Sequence, residues 1–167
     1  MEKLGKYEIQ EKLGQGSFGT VYRAIDTTNK REVALKVLHP ESAQDRDLVQ
    51  GAIREAEQVQ KLGAIPNVVA VYEAGAIDGK IVIASQFVKG KPLTEAIKDQ
   101  RFNTVASILR VLDELAKALD SVHAAKVVHQ DVKPANILID DESGQLYLCD
   151  FGLARAARDS RGSFSAS

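Results

Sequence analysis

The chain has 167 residues, enough for one medium domain or two small lobes around a sizeable core. Its 22 basic and 23 acidic side chains leave a net charge of -1, which exerts no global pull toward nucleic acid or an anionic membrane. A single cysteine excludes an intrachain disulfide framework. Because no stretch approaches the roughly 20 apolar residues of a membrane-spanning helix, and Met1 to Gln10 has no apolar signal core, the expected setting is soluble and cytoplasmic.

From Tyr7 to Val88 the pattern is one of short strands broken by turn signals, with one helical interruption. A first strand runs from Lys6 to Leu13, the glycine-rich Gly14-Gln15-Gly16-Ser17-Phe18-Gly19 follows, and Thr20 to Ile25 forms a second strand. Asp26 to Lys30 is rich in turn formers and closes a hairpin onto the β-favouring Arg31 to Leu38. Leu48, Ala52, Ile53, Ala56, Val59 and Leu62 recur near helical spacing, which predicts an amphipathic helix from about Asp47 to Leu62. Gly63 punctuates, and Val68 to Ala74 and Lys80 to Val88 supply two more strands, about five in all.

Beyond Val88 the character turns helical. Gly90 and Pro92 mark the break, and Asn103 or Thr104 can cap a helix with Ile108, Leu112, Leu115, Leu119 and Val122 on one face. Ile137 to Asp140 and Gln145 to Cys149 flank Asp-Glu-Ser-Gly as a small hairpin. From Ala154 onward the chain is mostly Ala, Arg, Ser and Gly, with too little apolar material to order itself, so a mobile end is expected. Ser160, Ser163, Ser165 and Ser167 lie there near Arg158 and Arg161, a composition that could accept phosphate but reads first as a disordered polar tail.

The chemistry sits in four places. Gly14, Gly16 and Gly19 let backbone N–H groups approach phosphate oxygens without Cβ clashes. A dinucleotide-binding loop would be followed by a helix, whereas Thr20-Val21-Tyr22 continues as strand. Lys36, in Val33-Ala34-Leu35-Lys36, could reach the phosphates of a nucleotide under that loop, and Glu55 on the helix is placed to pair with it. Glu57 competes for that pairing but faces another side of the helix. Taken singly, each of these charges reads as solvated surface.

The strongest signal is Val128-His129-Gln130-Asp131-Val132-Lys133-Pro134-Ala135-Asn136, followed by Asp150-Phe151-Gly152. Phosphoryl transfer needs a carboxylate to accept the hydroxyl proton, a cation near the γ-phosphate, and hard oxygen ligands for Mg²⁺. Asp131, Lys133, Asn136 and Asp150 supply that set in one chain order with the loop, Lys36 and Glu55. As isolated residues, Asp131 and Asn136 would pass for turn formers.

These motifs, over about Tyr7 to Arg155, resemble the eukaryotic-like Ser/Thr protein kinases that also occur in bacteria. The resemblance implies an α+β, kinase-like fold: a five-stranded antiparallel N-lobe sheet with one helix over residues 1–88, and a mainly helical, partial C-lobe over residues 89–167 that stops shortly after Asp-Phe-Gly. It implies ATP and Mg²⁺ as cofactors and a protein substrate carrying Ser or Thr. In that scheme Gly14, Gly16 and Gly19 cover the phosphates, and Lys36 holds them and pairs with Glu55. Asp131 is the base, Lys133 meets the γ-phosphate, and Asn136 and Asp150 hold the metal. Leu13, Val21, Ala34 and Leu138 sandwich the adenine, the backbones of Gln86 and Val88 bond its edge, and Ser85 is a small gatekeeper before a back pocket. A small-molecule kinase of the same fold is disfavoured by Lys133, which such relatives usually lack.

Gln130 departs from the pattern, standing where many kinases carry an Arg that docks a phosphorylated activation loop. The family's substrate-binding segments do not follow Gly152 in this sequence. Their absence favours self-association through an uncovered helix face. It also motivates an alternative in which the chain binds ATP as an inactive regulatory module. His129 is expected to be structural, and Cys149 a small hydrophobe with an unreactive thiol.

Overall fold

The computed structural model describes residues 2–151. Gly152, the segment from Ala154 and its serines lie outside the described residues. A six-stranded antiparallel sheet runs in the order β1-β2-β3-β4-β6-β5, from β1 (Lys3–Leu4), β2 (Tyr7–Gln15), β3 (Gly19–Asp26), β4 (Arg31–Leu38), β5 (Val71–Ile77) and β6 (Lys80–Gln86). The expected five strands are present, and the two-residue β1 extends the edge by pairing with β2.

The β2–β3 and β3–β4 connections follow local chemistry. Asp26 ends β3, and its Oδ1 accepts from the N–H groups of Thr28 and Asn29 at 3.1 and 3.0 Å, shaping the turn into β4. Partial desolvation raises the Asp26 carboxyl, but its bonds from Asn29 and Thr28 and the nearby Lys6 charge hold it below the ordinary carboxylate value.

Side chains alternate across the sheet, and the two faces have different fates. Val33, Leu35, Val82 and Ala84 point to one face and form a core with Leu4, Tyr7 and Ala24. Register pairs Val21 with Lys36, Lys36 with Ile83 and Ala34 with Ser85, so these line the opposite face. That second face receives the helix.

Between β4 and β5 lie α1 (Pro40–Gln44) and α2 (Arg46–Leu62). Asp45 caps α2 by accepting from Asp47 N and Leu48 N, and Gly63, at φ 70, closes it. Leu48, Ala52, Ala56 and Val59 are its buried stripe, as the spacing requires.

The remainder contains β7 (Gly90–Pro92), α3 (Leu93–Lys98), α4 (Val105–Ala124), a 3-10 turn at Pro134–Asn136, β8 (Ile137–Asp140) and β9 (Leu146–Leu148). Thr104 caps α4 reciprocally with Ser107. The β8–β9 hairpin forms as expected and gains β7 as a third strand. Gly90 allows this pairing, since a Cβ there would run into the Ile139 carbonyl.

A shared core and Asn67 both help to seat the halves together. Val59, Val68, Ala118, Val122 and Val127 form a shared core with the Phe151 ring beside it. Asn67 bridges as well: its side-chain amide donates to the Leu146 carbonyl at 2.9 Å, and its own carbonyl accepts from Leu148 N at 2.8 Å. On α4, Ala118 and Val122 are buried, while Val105, Ile108, Leu109 and Leu112 are exposed. Among the described residues no helix is long and apolar enough to cross a membrane.

Candidate active site

Lys36 on the six-stranded sheet meets Asp150, just past the β8–β9 hairpin, and this contact marks a cleft between the two. The β2–β3 turn carries the glycines. Gly14 and Gly16 face open space: a Cβ on Gly14 would touch nothing, and one on Gly16 only the Gly19 carbonyl at 3.9 Å. Neither has a positive φ, so neither packing nor backbone conformation requires glycine at these two places. Gly19 differs, because a Cβ there would strike the Val37 carbonyl.

Lys36 descends from β4 with only 14% of its side chain exposed, and its Nζ lies 2.8 Å from Asp150 Oδ1. Asp150 is thus an ion-pair partner of Lys36. Asp150 has φ 59, a left-handed conformation that Asp tolerates better than most residues. That backbone turn directs its carboxylate to β4. Glu55 is half-buried and lines a cavity of about 180 Å³ with Gln58, Lys126, Val127, Val128, Gln130 and Phe151. Glu57 is exposed, so α2 turns the preferred one of the two glutamates inward.

The loop before β8 holds Asp131 in a cage of donors. Lys133 Nζ donates to Asp131 Oδ2 at 2.6 Å, and Asn136 Nδ2 donates to the same oxygen and to the Asp131 backbone carbonyl, both at 2.9 Å. Partial burial pushes the Asp131 carboxyl upward, but the Lys133 and Asn136 bonds outweigh it and hold it below the usual carboxylate range. Because both acceptors on Asp131 fix the amide nitrogen of Asn136, its amide oxygen is left for another partner. The Asn136 carbonyl accepts from Cys149 N at 2.9 Å, which ties the loop to the residue before Asp150. Lys36, Asp150, Asn136, Asp131 and Lys133 therefore form one connected chain of contacts.

His129 is 1% exposed and holds this arrangement from below. Its Nε2 donates to the Cys149 carbonyl at 2.8 Å, and its Nδ1 accepts from Asp131 N at 3.3 Å. One donor and one acceptor define a neutral ring. Burial lowers its pKa, only partly opposed by the Cys149 bond. The Phe151 ring packs at 4.4 Å from it. This is the geometry of a structural histidine, as expected. Gln130 has φ 65 and Asp150 φ 59, so left-handed backbone borders the site at two non-glycine positions. Burial, with Asp150 adding, holds the Cys149 thiol well above its usual range.

Val21, Ala34, Ser85 and Leu138 are half-buried, Val88 is buried, and Leu13 is 46% exposed. Ser85 Oγ donates to the Ala34 carbonyl at 3.3 Å, and Gln86 N donates to the Ala70 carbonyl at 2.8 Å. Sequence reasoning assigned no role to Phe18, Thr20 or His39, which tie the glycine loop down. An aromatic inside an otherwise small, polar loop was the available signal. Among the described residues no group of three or more His, Cys, Asp and Glu could hold a metal by itself.

The chain matches the protein kinase domain model over residues 7–166. It is 40% identical over 156 residues to the serine/threonine-protein kinase PknJ of Mycobacterium tuberculosis, covering 92% of this chain and 26% of that relative. It is 34% identical over 152 residues to PrkC of Bacillus subtilis, covering 91% of this chain and 23% of PrkC. The chain thus spans about a quarter of these relatives' length. A crystal structure of the Mycobacterium tuberculosis PknI kinase domain superposes with a TM-score of 0.79 at 31% identity, covering 91% of this chain and 62% of that one.

Proposed function

We propose, from the premise that this chain belongs to the protein kinase domain family, that its cleft binds ATP and transfers the γ-phosphate to a Ser or Thr hydroxyl of a protein. One observation carries the reading: Asp131 is held by Lys133 and Asn136, and that cluster is tied through Cys149 to Asp150 and thence to Lys36. A carboxylate kept ionised below its ordinary range suits a group that orients and deprotonates an alcohol.

The open space above Gly14 and Gly16 supports a ligand whose phosphates lie against the backbone there, the loop of Gly14, Gly16 and Gly19 covering them. Lys36 reaches the α- and β-phosphates, with Glu55 on the same side of the cleft to orient it. Lys133, half-exposed beside Asp131, meets the γ-phosphate. Val21, Ala34, Leu13 and Leu138 bracket the adenine ring. Since the Gln86 N–H is engaged by Ala70, the adenine edge falls to the Gln86 carbonyl and the Val88 backbone.

Asn136 and Asp150 present hard oxygens and no soft ligand, and two protein oxygens completed by phosphate and water fit Mg²⁺. When bound, Mg²⁺ neutralises phosphate charge. With a nucleotide-binding lobe over 1–88 and a second lobe over 89–167, both oxygen ligands belong to the second lobe and Lys36, which meets Asp150, belongs to the first.

The test is incubation of the chain with labelled Mg-ATP and a basic protein acceptor, alongside Asp131→Asn. Incorporation into Ser or Thr that the substitution removes supports the reading. Tight Mg-ATP binding with no transfer would replace it with the inactive binding module.

A further inference from the structure

Phe18 sits at the tip of the glycine loop, yet its ring does not face the cleft. It packs against the small core of Leu38 and Leu48, which Val49 and Ile81 also join, at the end of β4, β6 and the first turn of α2. Two neighbouring ties hold the same end of the loop. The Phe18 carbonyl accepts from His39 N at 2.9 Å, and Thr20 Oγ1 lies 3.2 Å from His39 Nε2. Gly19, between them, has no room for a Cβ against Val37. At the other end, Gln15, Gly16 and Ser17 are exposed. The loop is therefore anchored on one side and open on the other, and its anchor rests on α2, two turns before Glu55.

We propose that Phe18 is a positioning residue that couples closure of the glycine loop over a nucleotide to the placement of α2, and through α2 to Glu55. The proposal rests on the reading of that loop as a phosphate cover. Drawing the loop toward a phosphate pulls Phe18, and the ring can follow only if Leu48 and Val49 follow or the packing is lost. An apolar wedge is suited to this, because its contacts are dense and non-directional and so transmit displacement without fixing an angle.

The experiment uses the whole chain and measures Mg-ATP affinity by calorimetry together with amide hydrogen exchange. In the unsubstituted chain Mg-ATP is expected to slow exchange across Leu48 to Ala56. Phe18→Ala is expected to weaken binding about tenfold, by leaving the loop to be ordered at the moment of binding, and to remove the slowing in α2. Phe18→Leu, which refills the apolar niche, restores both. Phe18→Ala and Leu48→Ala combined should cost less than the sum of the two, since each breaks the same contact. If the unsubstituted chain binds Mg-ATP and α2 exchange does not change, or if Phe18→Ala keeps the slowing, the coupling is overturned while the nucleotide reading stands. A chain that binds no Mg-ATP overturns both.

Discussion

The Lys36 ammonium lies 2.8 Å from an Asp150 carboxylate oxygen, joining residues 114 positions apart across the cleft. The ion pair thus sets side by side the two groups proposed to meet phosphate and metal.

Loss of either partner should therefore be felt in nucleotide affinity. Lys36→Met is expected to weaken Mg-ATP binding about 10- to 100-fold, the scale of one charge-assisted contact. Asp150→Asn should weaken Mg-ATP more than metal-free ATP. Calorimetry with and without Mg²⁺ separates the two, and equal losses in both conditions would remove Asp150 from the metal.

Asp131→Asn keeps the size of the side chain and removes the proton acceptor. Phosphoryl transfer should fall roughly 10²- to 10⁴-fold, the usual contribution of a positioned base, with the KM for ATP little changed. Steady-state kinetics on a peptide acceptor read this directly. A proportionate rise in KM would mean that Asp131 serves binding.

His129 makes stability depend on pH with a definite sign. Its folded pKa is lowered below 6.5 by burial, so the unfolded chain takes up a proton more readily than the folded one. The contribution is complete above 6.5 and is lost as pH falls toward the depressed folded value. Asp131 and Asp150 face the ring and favour its charging, and Lys133 opposes it. Thermal melts should show Tm falling as pH drops from 7 to 5, and His129→Gln should flatten that slope by up to about 1.4 kcal/mol per pH unit. An unchanged slope would place the pH dependence elsewhere.

Asn67 tests the seam between the two halves. It has φ 63, and its amide satisfies the carbonyl of Leu146, a residue with no exposed surface. Asn67→Ala loses the bond and places a strained residue in the left-handed region, whereas Asn67→Gly loses the bond alone. Removing a buried carbonyl's partner costs about 1–3 kcal/mol, at roughly 2–4 °C of Tm each, so the alanine variant should melt several degrees lower. The glycine variant should melt above it. The reverse order would show that the backbone conformation carries no strain.

Much of this molecule was legible in the sequence because its signals are local. The apolar spacing of Leu48, Ala52, Ala56 and Val59 specifies α2, Thr104 specifies where α4 begins, and Asp140 with Ser143 shapes the β8–β9 turn. Asp131, Lys133, Asn136 and Asp150 could be named from residue type and order alone. Strands as short as Lys3–Leu4 and Gly90–Pro92 could not, because they exist only through their partners in β2 and β8. Only tertiary structure decided that Lys36 meets Asp150, that Phe18 turns toward α2, and that Asn67 joins the halves. Those pairings depend on where separate elements come to rest, and a side chain's partner across space leaves no periodic trace in the chain that carries it.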